Sequence, residues 1–383
     1  MKALVVVLLA FLAAAPLALS QERKPDDAPL VRCVPCKNEG RLPCSKHDKG
    51  EMPLEDTVLF CSHVAECAEC GGAGWLDCTD CENPRWVDVL ATKRDRSKAC
   101  KGASDEIDGE MKRKVAKVVT DHFVLVWEVE SLKIDKREVK QHELMHVYAN
   151  RLETLFKDYC DSFGTTSAGF KSRCRVFVWG NQRDQEQGSS HFVGQTSARG
   201  TKLMGATIAF SMCGSKQFVK DDPTLHRTLV HNVVHLLLSH QEPSQWVGNI
   251  KGGWVDEGVS HWFEERYFGL CDNYCYEEQN TNVDFKGGKW KPVVRKMVAA
   301  GEVAPAAEVM QLNTDGLKLA MHAQAFSYCD YLFAFDAKKF HQLCRELRKK
   351  VTARDAFQKV YGINLLQFDE QWRAWVLATY PVR

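Results

Sequence analysis

Hydrophobic and polar positions divide the chain into stretches of different character. Residues Ala3 to Ala15 form an almost unbroken apolar run. Residues 93 to 118 are densely charged and read as a linker leading into a helix. His122 to Val129 is rich in β-branched and aromatic residues and predicts a strand. Asp135 is placed to cap a long helix to about Phe163, with Leu144, Val147, Tyr148, Leu152, Leu155 and Phe156 at helical spacing. Cys174 to Trp179 predicts a second strand, and His191 to Thr196 and Gly205 to Phe210 two more. Helices follow at about Pro223 to Ser239 and Asp256 to Phe268, and the remainder reads as helical. The fold class is therefore α+β: a mixed sheet with a backing helix and a further helix beside it. The expected divisions are 1–20, 32–84, 85–118 (the charged linker), 119–270 and a helical region at 271–383.

Composition narrows the function classes. The chain has 383 residues, 45 % hydrophobic and 26 % charged, with a formal charge of +1. That balance is globular, and the missing basic excess argues against nucleic-acid binding. The apolar run follows Lys2 and ends at Ala18-Leu19-Ser20, with small residues where a signal peptidase reads. Residues 1–20 are thus expected to be a signal peptide, with export to the periplasm or extracellular space. No later stretch is apolar enough to span a bilayer, so no membrane span is expected after cleavage.

Sixteen cysteines are too many for a typical cytosolic enzyme. Eight fall between residues 32 and 82, and seven of these form a repeated pattern. Cys33-x-x-Cys36 is followed seven residues later by Cys44-x-x-His47; Cys67-x-x-Cys70 is followed seven residues later by Cys78-x-x-Cys81. A C-x-x-C turn aims two donors at one tetrahedral centre, and two such turns complete it. The eight donors Cys33, Cys36, Cys44, His47, Cys67, Cys70, Cys78 and Cys81 therefore imply two structural zinc ions. Disulfides are the alternative in an exported chain. Cys61 is left over and either replaces a ligand or pairs elsewhere. The stretch Cys67-x-x-Cys70-x-Gly72-x-Gly74 resembles the cysteine-rich zinc module of DnaJ-type chaperones. That resemblance implies nested pairing, first knuckle with fourth and second with third; pairing within each copy is the alternative. There is no J-domain signature, so a co-chaperone role is not implied.

On the helix predicted at 223–239, His231-Asn-Val-Val-His235 places two imidazoles on one face, able to chelate one ion. Trp254-x-x-Glu257-Gly258 opens the next helix and can add a carboxylate. These motifs resemble the gluzincin metallopeptidases of the peptidase MA-like group, and the likeness extends diffusely over residues 120–380. It implies a zincin-like lobe with a helical tail, and zinc held by His231, His235 and Glu257. The family motif is H-E-x-x-H, whose glutamate takes a proton from water; here Asn232 stands at that position, and an amide cannot accept the proton. The expectation is a catalytically impaired, metallopeptidase-like protein able to bind peptide or protein segments.

His142-Glu143-Leu-Met-His146 is a literal H-E-x-x-H on the earlier helix. Its context argues for a polar patch on the backing helix. Two alternatives stand beside the main reading. One is an active metallopeptidase using another carboxylate, with Glu143 as base and His142 and His146 as ligands. The other is a binding protein with structural zinc alone. The remaining cysteines suit disulfides or core positions, with Cys160–Cys174 and Cys271–Cys275 as plausible pairs.

Overall fold

The computed structural model describes residues 33–47, 57–80, 87–275 and 285–383. The expected signal peptide and Cys81 lie outside the described residues. Two three-residue strands, β1 (Arg41–Pro43) and β3 (Trp75–Asp77), pair antiparallel as a small ribbon. Between them in sequence, β2 (Val58–Cys61) leaves the ribbon and joins the main sheet. That sheet adds β4 (Lys117–Thr120), β5 (Phe123–Trp127), β8 (Cys174–Trp179), β9 (Gly200–Leu203) and β10 (Ala209–Cys213), in the order β2-β4-β5-β8-β10-β9. The pairs β5/β8 and β8/β10 are parallel and the others antiparallel, so the sheet is mixed.

Both faces of the sheet are covered. Phe123, Leu125 and Trp127 point toward the larger core, shared with α2 (Gln141–Phe163) and α4 (Asp222–His240). Val124 and Val126, one residue out of phase, enter a second core under α1 (Val87–Met111) and α3 (Gln182–Phe192). Burial on both sides explains why the strands read as continuous apolar runs. Helices α5 (Gly253–Phe268), α6 (Trp290–Ala300), α7 (Ala306–Val309), α8 (Leu319–Arg348), α9 (Ala353–Tyr361) and α10 (Leu365–Thr379) pack beyond α4. Gly258 lets α5 approach α8, for a Cβ there would sit 2.5 Å from Ala325 O and 2.6 Å from Cys329 Sγ. The architecture is α+β.

Three local expectations are corrected. Residues 85–118 are not a linker: they contain α1 and the start of β4. The charges clothe the solvent face of α1, while Leu90, Lys93, Ser97, Cys100, Ser104, Ile107 and Met111 are buried at steps of three to four. Asp135 does not cap α2. It has φ 55° in the turn of a hairpin between β6 (Ser131–Ile134) and β7 (Arg137–Lys140), and α2 starts after it. His191 and Phe192 close α3 rather than opening a strand; Asn181, accepting from the Asp184 amide, caps that helix at its start.

An ion pair between half-buried Arg151 and buried Asp222 ties α2 to the start of α4. Arg151 donates to both Asp222 oxygens, at 2.6 and 3.0 Å, and Tyr148 adds its hydroxyl at 2.8 Å. Arg151→Met leaves a buried carboxylate without its cation, and a stability loss of about 3 kcal/mol is expected in denaturant unfolding. Adding Asp222→Leu should recover part of that loss; a fully additive double variant would show that the pair is not coupled.

Candidate metal centres

The ribbon sets the arrangement of the knuckles. β1 runs from the first knuckle to the second, and β3 from the third to the fourth. Because the strands are antiparallel, with Arg41 opposite Asp77 and Pro43 opposite Trp75, the first knuckle meets the fourth and the second meets the third. Donor atoms of Cys44, His47, Cys67 and Cys70 lie within 4.8 Å of one another, as do those of Cys33, Cys36 and Cys78. Cys33 Sγ is 3.6 Å from Cys78 Sγ, Cys44 Sγ is 3.8 Å from Cys67 Sγ, and His47 Nε2 is 3.5 Å from Cys70 Sγ. Tetrahedral zinc at Zn–S of about 2.3 Å and Zn–N of about 2.0 Å sets donors about 3.3–3.8 Å apart, whereas a disulfide needs about 2.05 Å. The spacing is that of a chelate. The Gly40 amide donates to Cys36 Sγ at 3.3 Å, as a thiolate requires. Without a cation, burial pushes the Cys44 thiol up to about 12.

The second centre joins α4, α5 and the segment after α5. His231 Nε2 and His235 Nε2 are 3.1 Å apart. Glu257 on α5 places its oxygens 3.7 Å from His231 Nε2 and 3.6 Å from His235 Nε2. Cys275 supplies a fourth donor, its sulfur 3.2 Å from His235 Nε2 and 3.7 Å from His231 Nε2. The carboxylate provides the sharpest test of fit. Glu257 is 0 % exposed, and neither of its oxygens accepts a hydrogen bond among the described residues; His261 and His322 approach only to 3.3 and 3.4 Å. Burial works against its charge, yet the facing His235, His261 and His322 hold it well below the usual carboxylate range. A divalent cation between these donors would satisfy it.

The surrounding carboxylates orient the imidazoles. Glu264 lies 3.1 Å from His231 Nδ1, and Asp256 lies 2.9 Å from His235 Nδ1. Each leaves Nε2 facing the centre, the carboxylate–histidine arrangement that supports metal ligands. Asp256 is itself fixed by Trp246 Nε1 and Thr314 Oγ1, both at 2.8 Å. Burial lowers His231 to about 4, so the ring is neutral, as a ligand must be.

Asn232 occupies the remaining key position. Its Nδ2 donates to Thr228 O at 2.8 Å, and its Oδ1 accepts from Lys202 Nζ at 2.7 Å. The same ammonium lies 2.7 Å from Cys275 Sγ. Asn232, Lys202 and Cys275 line one end of a cavity of about 400 Å³ that runs along β9.

The literal H-E-x-x-H lies elsewhere, in the first turns of α2. His142 Nε2 and His146 Nε2 are 3.1 Å apart. Glu143 turns away from them and forms a two-point ion pair with Arg137 of β7, which lowers its pKa. It is not poised as a base for that histidine pair.

Asp256, Glu264 and Lys202 were not singled out from sequence, and Cys275 was expected only as a disulfide partner of Cys271. Asp256 and Glu264 do carry a signal, being adjacent to Glu257 and two turns beyond it. Among the described residues no disulfide is formed. Cys160–Cys174 and Cys271–Cys275 are therefore corrected: Cys275 turns to the histidines, and Cys271 donates to His261 O at 3.3 Å. A scan against protein-family models and a search of curated proteins each gave no match. The capacity of these clusters to hold zinc rests on their own geometry.

Proposed function

We propose that this is an exported zinc-binding protein whose gluzincin-like centre holds zinc without hydrolysing peptides. The observation that carries the reading is the buried Glu257, without a hydrogen bond and facing two carboxylate-backed imidazoles at chelate spacing. Zinc in an open three-ligand site would polarise a carbonyl and activate water; a four-ligand site is structural. Cys275 adds the fourth donor and Asn232 replaces the base, so both departures favour holding over cutting. Export rests on the apolar run and small residues of positions 1–20. The two knuckle pairs hold two further structural zinc ions; for the first, Cys81 is the fourth donor expected from the spacing in the sequence.

The proposed ligand of the cleft is an extended peptide or protein segment. β9 is the outer strand of the sheet and is bonded only to β10 among the described strands. Its other edge can pair with an incoming strand, and the cavity beside it can take side chains. In the test, zinc content is compared between the purified parent and the double variant His231→Ala/Glu257→Gln, with hydrolysis of unstructured peptides assayed alongside. One ion per chain fewer in the variant, and no turnover by the parent, is the expected result. Equal zinc content, or parental turnover that His231→Ala abolishes, would overturn the reading.

A further inference from the structure

The second histidine pair has the same geometry as the first. His142 and His146 hold their rings 4.8 Å apart at 71°, and so do His231 and His235. In both pairs the Nε2 atoms are 3.1 Å apart. In both, a cysteine from another element comes to the pair: Cys275 Sγ stands 3.2 Å from His235 Nε2, and Cys61 Sγ stands 3.4 Å from His142 Nε2.

The position of Cys61 follows from a defect in the sheet. Strict alternation would place Val58 and Cys61, three residues apart, on opposite faces of β2. The register of β2 against β4 shifts between Val58 and Phe60. As a result Val58 and Cys61 both enter the core beneath α2, while Leu59 and Phe60 enter the core on the other face. A bulge of this kind re-aims side chains next to functional sites. Here it turns a buried thiol toward the first turn of α2. His63, two residues on, stacks on His142 with ring centroids 4.4 Å apart, and the donor atoms of Cys61, His63 and His142 lie within 4.8 Å of one another.

We infer that Cys61, His142 and His146, with His63 as the further nitrogen donor, form an additional zinc site that fastens β2 and the residues leading into the third knuckle to α2. The donor chemistry is that of structural zinc, one thiolate with imidazoles. Both rings are buried, His142 at 7 % and His146 at 0 % exposure, so the site is closed to solvent. His142 Nε2 lies 3.1 Å from His146 Nε2 and 3.4 Å from Cys61 Sγ, close to the tetrahedral edges of about 3.3 and 3.5 Å for nitrogen–nitrogen and nitrogen–sulfur donor pairs. The site explains a literal H-E-x-x-H whose glutamate faces an arginine: the histidines serve as ligands and the glutamate takes no part. It differs from the first pair in having no carboxylate donor corresponding to Glu257, and in its outer partners. His142 Nδ1 and His146 Nδ1 have no hydrogen-bond partner among the described residues, so no carboxylate strengthens these ligands. Absence of such partners lowers affinity about 10- to 100-fold. This zinc should therefore leave before that at Glu257.

The test is elemental zinc analysis of the full chain. Cys61→Ser/His142→Ala should bind one zinc ion fewer per chain than the parent, and Glu143→Gln should bind the same number. Unchanged zinc in the double variant overturns the inference. Should that variant fail to fold, crystals of the parent decide the matter by anomalous scattering at the zinc edge. A peak between Cys61 Sγ and His146 Nε2 supports the site; no peak there, with peaks at the knuckles, overturns it. Neither result depends on His231, His235 or Glu257, so failure here is separable from failure of the proposed function.

Discussion

Removing zinc with a chelator at neutral pH is expected to unfold the knuckle region while α4, α5 and the centre of the sheet stay folded. Apart from Arg94 of α1, which donates to Cys70 O at 3.3 Å and pairs with Asp77 at 3.5 Å, the region has little to hold it. Its ribbon is two strands of three residues, and the apolar cluster around the first knuckle pair consists of Cys33, Cys36 and Cys78 with Leu42 packed against them. No disulfide is formed there among the described residues. A structural zinc ion contributes about 10–16 kcal/mol of apparent binding free energy at neutral pH, and that energy is folding energy where no core exists without it. The larger core shared by α2, α4 and α8 is continuous and does not depend on the knuckles. Hydrogen exchange can follow both parts together. The amides of Cys44 and Cys78, which donate to Gly74 O at 3.1 Å and Gly40 O at 3.0 Å, should lose protection on chelation. Amides within α4 should retain it. Knuckle amides that stay protected in zinc-free protein would show that the cysteines are not a metal scaffold. Cys44→Ser should reproduce the loss at the second and third knuckles.

The elements with strong local patterns were legible in the sequence. The strand at 123–127, the long helix ending at Phe163 and the two helices carrying His231 and Glu257 all follow from periodicity and end signals, such as Asp222-Pro223 at the start of α4. The failures have physical causes. α1 carries so many charges that its buried stripe, from Leu90 to Met111, is outweighed in any average over the segment. Asp135 can cap a helix or adopt the left-handed turn of a hairpin, and the following β7 decides for the turn. Long-range partners were less legible still. The nested knuckle order was expected only through the resemblance, since spacing alone does not separate it from pairing within each copy; the antiparallel sense of β1 and β3 decides for it. Nothing local marks Cys275, which lies in sequence between a helix end and a segment without pattern, as a neighbour of His235. Cys61 needs a bulge to reach α2, and a bulge in a four-residue strand leaves no trace in hydrophobic alternation.

The double variant Asn232→Glu/Cys275→Ala is expected to hydrolyse unstructured peptides where the parent and both single variants do not. Two features stand between this centre and a peptidase, and each is sufficient to block it. Asn232→Glu alone supplies a proton acceptor but leaves Cys275 Sγ 3.2 Å from His235 Nε2, at the corner a substrate oxygen must use. Cys275→Ala alone opens that corner but leaves an amide where a base is needed. A general base contributes about 10²- to 10⁴-fold, and none of this can appear while the fourth corner is filled. The effects should therefore be strongly non-additive. Lys202 adds a third term. Its ammonium lies 2.7 Å from Asn232 Oδ1 and would pair with a carboxylate introduced there, holding that carboxylate ionised but weakly basic. Adding Lys202→Met to the double variant should raise the rate at neutral pH and move the acid limb of the pH–rate profile upward, because the carboxylate then titrates higher. Single-turnover cleavage of a labelled peptide, with zinc content measured on the same samples, provides the readout. If a zinc-loaded double variant shows no cleavage above the parent, the centre does not derive from a peptidase geometry and its zinc is structural in origin. If Asn232→Glu alone cleaves as fast as the double variant, Cys275 does not close the site.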